Sequence, residues 1–155
     1  MIYISLLIWI IYSIIEGKRE ANFWHHRINS SDYEIFKDID RHPLFVLQRG
    51  LMLICIGILG YLVTDSILWS GYLFIMNSLV FTFFHNGSMY LERLIMSMRS
   101  SPNNSDIWVY KDGWWSQSST SVAVTTRFMT PVSRTIQMLL GILGYIIYLI
   151  LFLIY

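Results

Sequence analysis

Apolar residues fall into four long runs along the chain, and charged residues lie mostly between the runs. The runs cover about residues 1–17, 44–63, 67–85 and 135–155. A helix needs about 20 mostly apolar residues to cross the hydrocarbon core of a bilayer. Each run is therefore predicted to form a transmembrane helix, and the third keeps helical spacing to about residue 100. We predict an all-α membrane protein with four transmembrane helices in a single membrane domain, 1–155.

The composition supports the membrane class. The chain is 55% hydrophobic and only 14% charged, whereas a soluble domain has about 25% charged residues. Its mean hydropathy is +0.51, so the lipid bilayer is the first partner that we expect. A net charge of +1 gives no indication of a nucleic-acid partner. Cys55 is the only cysteine, so neither a disulfide framework nor a thiolate zinc site is expected.

The positions of the basic residues predict how the helices are oriented. Residues 64–66 form a short turn, whereas residues 18–43 and 101–134 form long connections. All 11 lysine and arginine residues lie in or beside these two connections, and basic residues favour the cytoplasmic side of a membrane. We predict that both termini face outward and that both long loops are cytoplasmic. The expected location is a bacterial cytoplasmic (inner) membrane.

The start of the chain does not resemble a cleaved signal peptide. It has no basic residue before the apolar run and no small-residue cleavage site after it. We therefore expect the first run to be retained as a transmembrane helix.

The motif Gly-Ile-Leu-Gly-Tyr occurs at residues 57–61 and again at residues 141–145, in the second and fourth runs. Small residues let membrane helices approach closely, so the glycines of both motifs are predicted to be packing positions. The repetition is also compatible with a two-fold internal repeat. The alternative is that this short motif is common in membrane helices.

The second long loop contains an aromatic element. Asp112-Gly113 lies between two aromatic runs, which is a pattern typical of a β-hairpin, and residues 121–128 would supply a third strand. Trp and Tyr also favour the membrane interface, where they contact lipid. We expect a small aromatic cytoplasmic element that either anchors the loop at the lipid surface or binds a ligand or partner protein. Its candidate interface residues are Trp108, Tyr110, Trp114, Trp115 and Phe128.

Charged residues at the inner ends of the first and third runs form a candidate site. Glu16, Glu20 and Arg27 share one face of a regular helix. His85 and Glu92 share a face of the third helix, which runs in the same direction as the first, so the two faces are expected at similar depth. Ionisable side chains at this depth are candidates for function. The predicted polar cluster consists of Glu16, Glu20, Arg27, Arg49, His85 and Arg93.

This cluster has two chemical interpretations. Glu16 and Glu20 lie one helical turn apart and repel each other, so an arginine, a neighbouring helix or a metal ion must compensate. Histidine and carboxylate side chains bind zinc or iron, and the candidate ligands are His26, His85, Glu16 and Glu20. Glu92 is the candidate catalytic base. No motif requires a cofactor, however, and the HExxH, di-iron, Walker and GxSxG motifs are missing from the sequence.

These observations leave three functions open. The leading hypothesis is a non-enzymatic structural, assembly or accessory subunit of a membrane complex or homo-oligomer, because the chain is small and carries no catalytic signature. The alternative is a metal-dependent membrane enzyme that acts on a lipid or headgroup at the cytoplasmic interface, where Arg49 or Arg93 would hold a phosphate. An oligomeric pore or transporter is the weakest hypothesis, because few polar side chains occur within the runs.

Overall fold

A computed structural model describes residues 2–29, 42–100, 107, 109–117 and 130–154 of the chain. Within these ranges the chain forms four long α-helices and one short 3-10 helix at Gly113–Trp115, with no strand. The all-α class predicted from the sequence is therefore confirmed for the described residues. The helices are α1 (Ile2–Asn29), α2 (His42–Thr64), α3 (Ile67–Ser100) and α4 (Pro131–Ile154).

Three of these helices are long and apolar enough to cross a membrane. The segments are Leu44–Thr64, Ile67–Arg99 and Pro131–Leu151, and their mean hydropathies are 1.9, 1.6 and 1.7. They support the membrane class. The predicted fourth span is not confirmed, because charged residues from Glu16 onward interrupt the apolar part of α1 before it reaches spanning length. The helix itself continues to Asn29, so the first part of the predicted loop 18–43 is helical.

The central helix is α3, and α1, α2 and α4 each pack against it. Two features fix α1 on this helix. The buried indole N–H of Trp9 donates a hydrogen bond to the backbone carbonyl oxygen of Asn77, at 2.7 Å. Further along α1, towards its charged end, Gly17 lets the two backbones meet, because a Cβ at this position would collide with the carbonyl oxygen of His85 and the hydroxyl of Ser88.

The glycine motifs of α2 and α4 both face α3. A Cβ on Gly60 would lie 3.2 Å from the side chain of Leu73. A Cβ on Gly141 would lie only 2.6 Å from a methyl group of Val80, so α4 makes the closer of the two contacts. The phenol of Tyr72 also donates a hydrogen bond of 2.8 Å to the carbonyl oxygen of Gly144. These glycines are packing positions, as the sequence predicts.

The short turn predicted between α2 and α3 is present. Asp65 follows the last residue of α2 and has a φ of 49°, a left-handed conformation that aspartate tolerates better than most residues. Its backbone N–H donates to the carbonyl oxygen of Tyr61 at 2.7 Å, which closes the end of α2. The two helices therefore form an antiparallel hairpin.

The predicted β-hairpin around Asp112-Gly113 is not confirmed. The 3-10 helix occupies this position, and Gly113 has a φ of 55° that admits the turn before it. The indole of Trp114 lies directly against Gly87 of α3, where a Cβ would overlap the ring. This helix-to-loop packing favours a compact turn over an extended strand. Residues 121–128, the proposed third strand, lie outside the described residues.

Candidate functional site

Ionisable side chains from three helices meet at one buried point. Glu20 of α1, Arg49 of α2 and His85 of α3 form what we call the three-helix cluster. The Nη2 atom of Arg49 donates a hydrogen bond to Oε2 of Glu20 and lies 2.8 Å from Nε2 of His85. Nε2 of His85 is 3.0 Å from the same Glu20 oxygen. Glu20 is 4% exposed and His85 is 3% exposed, so these contacts are shielded from solvent.

Neighbouring side chains fix the orientation of the cluster. The ring of Phe81 stacks on the imidazole of His85 with centroids 4.8 Å apart, and the guanidinium of Arg49 lies 5.5 Å from the Phe81 ring centroid. Nδ1 of His85 lies 2.9 Å from Oδ1 of Asn86. Nε2 of His85 therefore faces both Arg49 and Glu20, and it either accepts from Arg49 or donates to Glu20 according to the tautomer of the ring.

The electrostatic balance favours an ionised Glu20. Burial alone would raise the pKa of its carboxyl group. The hydrogen bond with His85 and the positive charge and hydrogen bond of Arg49 outweigh burial, and they lower the pKa to about 2. Glu20 lies outside the three candidate membrane spans. At neutral pH its carboxylate is therefore the anion that holds the other two members of the cluster.

Glu16 lies one turn away and has a different partner. Its carboxylate is buried and accepts a hydrogen bond of 2.8 Å from Nη2 of Arg19. The same nitrogen donates to Oε1 of Gln48 on α2 at 2.7 Å. Each glutamate thus pairs with its own arginine, Glu16 with Arg19 and Glu20 with Arg49. The two positive charges compensate the repulsion expected between the two carboxylates.

The remaining candidate site residues do not join the three-helix cluster in the described part of the structure. Glu92, the candidate catalytic base, is two helical turns beyond His85 and forms an ion pair with Lys18 at 3.6 Å. The guanidinium of Arg93 lies over the ring of Tyr110, 4.5 Å from its centroid. The side chains of Arg27 and His26 lie outside the described part of the structure.

The donor set of the three-helix cluster suits an ion pair better than a metal site. Among the side chains that the structure describes, no three His, Cys, Asp or Glu residues lie together so that they could hold a metal ion. Glu20 and His85 are neighbours, but Nη2 of Arg49 already lies beside both of the atoms that would ligate. A second cation there would be repelled by the guanidinium. A zinc or iron site remains a prediction from the sequence.

Most of the described candidate interface residues pack inside the chain. Tyr110 is buried and stacks on Tyr90 of α3 with ring centroids 5.4 Å apart. Trp114 packs on Gly87. Trp115 differs, because it is 53% exposed while its ring lies 5.7 Å from that of Phe83. Trp108 and Phe128 lie outside the described residues.

The sequence interpretation did not single out Arg134, which the structure places in the interior. Its Nη2 atom donates to the carbonyl oxygens of Trp114, at 3.3 Å, and of Ser116, at 2.9 Å. Its guanidinium also lies 5.1 Å from the ring centroid of Tyr90. The sequence gives only a weak indication that Arg134 is unusual. It lies in the first turn of α4, where a positive charge is unfavourable because the helix dipole is also positive there.

Comparison of the chain with protein-family models, with curated proteins and with solved structures found no significant match. The class is therefore defined by the fold alone. Three helices that are long and apolar enough to cross a membrane are the features of a helical membrane protein.

Proposed function

We propose that this chain is a non-enzymatic integral membrane protein that acts as a structural, assembly or accessory subunit of a membrane complex or homo-oligomer. The proposal places it in a bacterial cytoplasmic membrane with its long loops in the cytoplasm. The observation that carries the proposal is the three-helix cluster, whose Glu20, Arg49 and His85 side chains contact one another. Their mutual contacts hold α1 and α2 on α3, so these charged side chains stabilise the packing of the helices.

The geometry of the cluster supports this role over a catalytic one. A catalytic acid or base must reach a substrate proton within hydrogen-bond distance. Glu20 and His85 are almost fully buried, and both contact Arg49. Glu92, the candidate base, is paired with Lys18. These side chains make their polar contacts with other residues of the same chain.

The outer surface of α2 supports a role in assembly. This helix packs on α3, and its opposite side exposes large apolar side chains at helical spacing, among them Leu47, Leu51, Ile54, Ile58 and Leu62. A face of this kind contacts either lipid or another membrane helix. Because three helices packed around one central helix enclose little interior, we infer that a neighbouring subunit covers part of this face.

Copurification tests the proposal. Two copies of the chain with different affinity tags would be expressed together, extracted in mild detergent, and purified through one tag. Recovery of the second tag, or of a membrane protein at fixed stoichiometry, is the expected result. The control mixes separately expressed membranes after extraction, which detects association formed only in detergent. A chain that is recovered alone under all conditions would contradict the proposed function.

The orientation is tested by cysteine labelling. In a Cys55→Ser background, Asp65→Cys marks the turn between α2 and α3, and Asp112→Cys marks the opposite end. Both aspartates are exposed. An impermeant maleimide added to intact cells should label the cysteine at position 65 and should reach the one at position 112 only after lysis. The reverse pattern would overturn the proposed sidedness.

A further inference from the structure

Arg134 is a buried cation whose hydrogen-bonding capacity is only partly used. It is 1% exposed. A guanidinium has five N–H donors, and Nη2 directs its donors to the carbonyl oxygens of Trp114 and Ser116. In the part of the chain that the structure describes, the Nε and Nη1 atoms have no hydrogen-bond partner, and neither does the hydroxyl of Ser116.

The charge of Arg134 is also unbalanced within the described residues. The carboxylates that form ion pairs there, Glu16, Glu20 and Glu92, pair with other cations, and Arg134 contacts two carbonyl oxygens and the face of Tyr90. A buried charge normally has a counter-charge, because removal of an ion from water is costly. The unused donors and the unpaired charge both point to an anionic ligand.

The position of Arg134 indicates which anion is available. It lies in the first turn of α4, at the beginning of the candidate membrane span Pro131–Leu151. Trp115, half exposed beside this turn, is a residue type typical of the membrane interface. Phospholipid phosphates lie at that depth, just outside the hydrocarbon core. The positive end of the α4 dipole also favours an anion there.

An apolar groove lies beside the same turn. It is open, has a volume of about 210 Å³, and is lined by Trp115, Pro131, Val132, Thr135 and Ile136. Its walls are almost entirely apolar, which suits an acyl chain rather than a polar molecule. The first turn of α4 therefore combines residues that line an apolar groove with a buried cation that has unused donors.

We propose that Arg134 and the hydroxyl of Ser116 bind the phosphate group of an anionic membrane phospholipid, with part of an acyl chain in the adjacent groove. The phosphate oxygens accept hydrogen bonds from both groups and neutralise the buried charge. This inference goes beyond the proposed structural role, and it holds whether the chain assembles with itself or with another protein.

The test compares two lipids that differ in the phosphoglycerol headgroup. Binding to the detergent-purified protein is measured by native mass spectrometry and by the shift of the melting temperature, using phosphatidylglycerol and a diacylglycerol with the same acyl chains. Phosphatidylglycerol should bind and stabilise the protein, whereas diacylglycerol should not. Arg134→Gln should weaken phosphatidylglycerol binding about tenfold, as expected for one charge-assisted hydrogen bond.

Two further variants keep the test decisive. Arg99→Gln removes an exposed basic residue at the end of α3 and should bind phosphatidylglycerol like the original chain. Ser116→Ala keeps every charge and should weaken binding about threefold, so it serves if Arg134→Gln does not fold. Unchanged binding in Ser116→Ala and any folded Arg134 variant would overturn the proposal. Equal binding of diacylglycerol, or equal stabilisation by inorganic phosphate alone, would overturn the assignment to a phospholipid.

Discussion

Replacement of Glu20 by Gln tests the three-helix cluster most sharply. The change keeps the size of the side chain and removes the only carboxylate that contacts both Arg49 and His85 among the described residues. Arg49 would then remain mostly buried without its anion, because its side chain is only 18% exposed. Loss of one partner from a buried ion pair costs about 3–5 kcal/mol.

The pKa of Glu20 gives a second route to the magnitude. The fall from an ordinary value of 4.5 to about 2 corresponds to about 3 kcal/mol in favour of the ionised carboxylate in the folded state. We therefore expect Glu20→Gln to lower the free energy of unfolding by about 3 kcal/mol. This loss is to be measured by denaturant titration in detergent micelles, followed by circular dichroism.

Glu92→Gln is the matched control for this prediction. It makes the same chemical change in the pair with Lys18, whose side chain is 53% exposed, and such a pair contributes less than about 1 kcal/mol. Partial recovery of stability in the double variant Glu20→Gln/Arg49→Met would show that the loss comes from the orphaned cation. The reasoning is refuted if Glu20→Gln and Glu92→Gln destabilise the protein equally.

Three other predictions follow from the structure. Because the pKa of Glu20 is lower in the folded state than in the unfolded state, its carboxylate stabilises the fold above about pH 4.5. This stabilisation should be lost as the pH falls towards 2. The free energies of unfolding of the original chain and of Glu20→Gln should therefore differ above pH 4.5 and converge as the pH falls towards 2. Gly17→Ala should cost about 2 kcal/mol, because its Cβ would meet the carbonyl oxygen of His85 and the hydroxyl of Ser88. Gly50→Ala, where a Cβ would have nothing within 4 Å, should be neutral or slightly stabilising in the same denaturant titration. Elemental analysis of the purified protein should find less than one zinc or iron per chain, and a full equivalent that disappears in His85→Ala would instead favour the metal-dependent enzyme.

The helices were predictable because an apolar run of spanning length is too long for a strand and too apolar for a loop. The turn at Asp65 and the packing glycines also followed from the sequence. For the first helix, the prediction of a span from apolar residues is not confirmed, because its charged residues begin at Glu16, before the apolar run reaches spanning length. Hydropathy alone did not reveal that this helix continues to Asn29.

Part of the candidate site was also predictable. Glu20 and His85 were expected at similar depth, because α1 and α3 run in the same direction, and the structure brings them to 3.0 Å. The choice of partner for each charge was not predictable. It depends on the rotation of α2 about its own axis, which turns Arg49 towards Glu20 and Gln48 towards Arg19. No spacing within a single helix contains that information.

In the aromatic loop, the local sequence pattern predicted a β-hairpin, but tertiary packing favours a 3-10 helix. The dipeptide Asp112-Gly113 is typical of a hairpin, but the same glycine conformation also admits a turn into a 3-10 helix. Gly87, on the distant helix α3, provides the space in which Trp114 packs. The burial of Arg134 depends on the same loop, since its acceptors are the carbonyl oxygens of Trp114 and Ser116.

The protein content of a single extracted particle tests the proposed function most directly. The chain would be extracted from its own membrane in a lipid-preserving polymer, and native mass spectrometry would give the number and identity of the chains in each particle. We predict more than one chain per particle, either copies of this chain or this chain with a fixed partner. A particle that holds a single copy and no other protein would contradict the proposed role as a subunit.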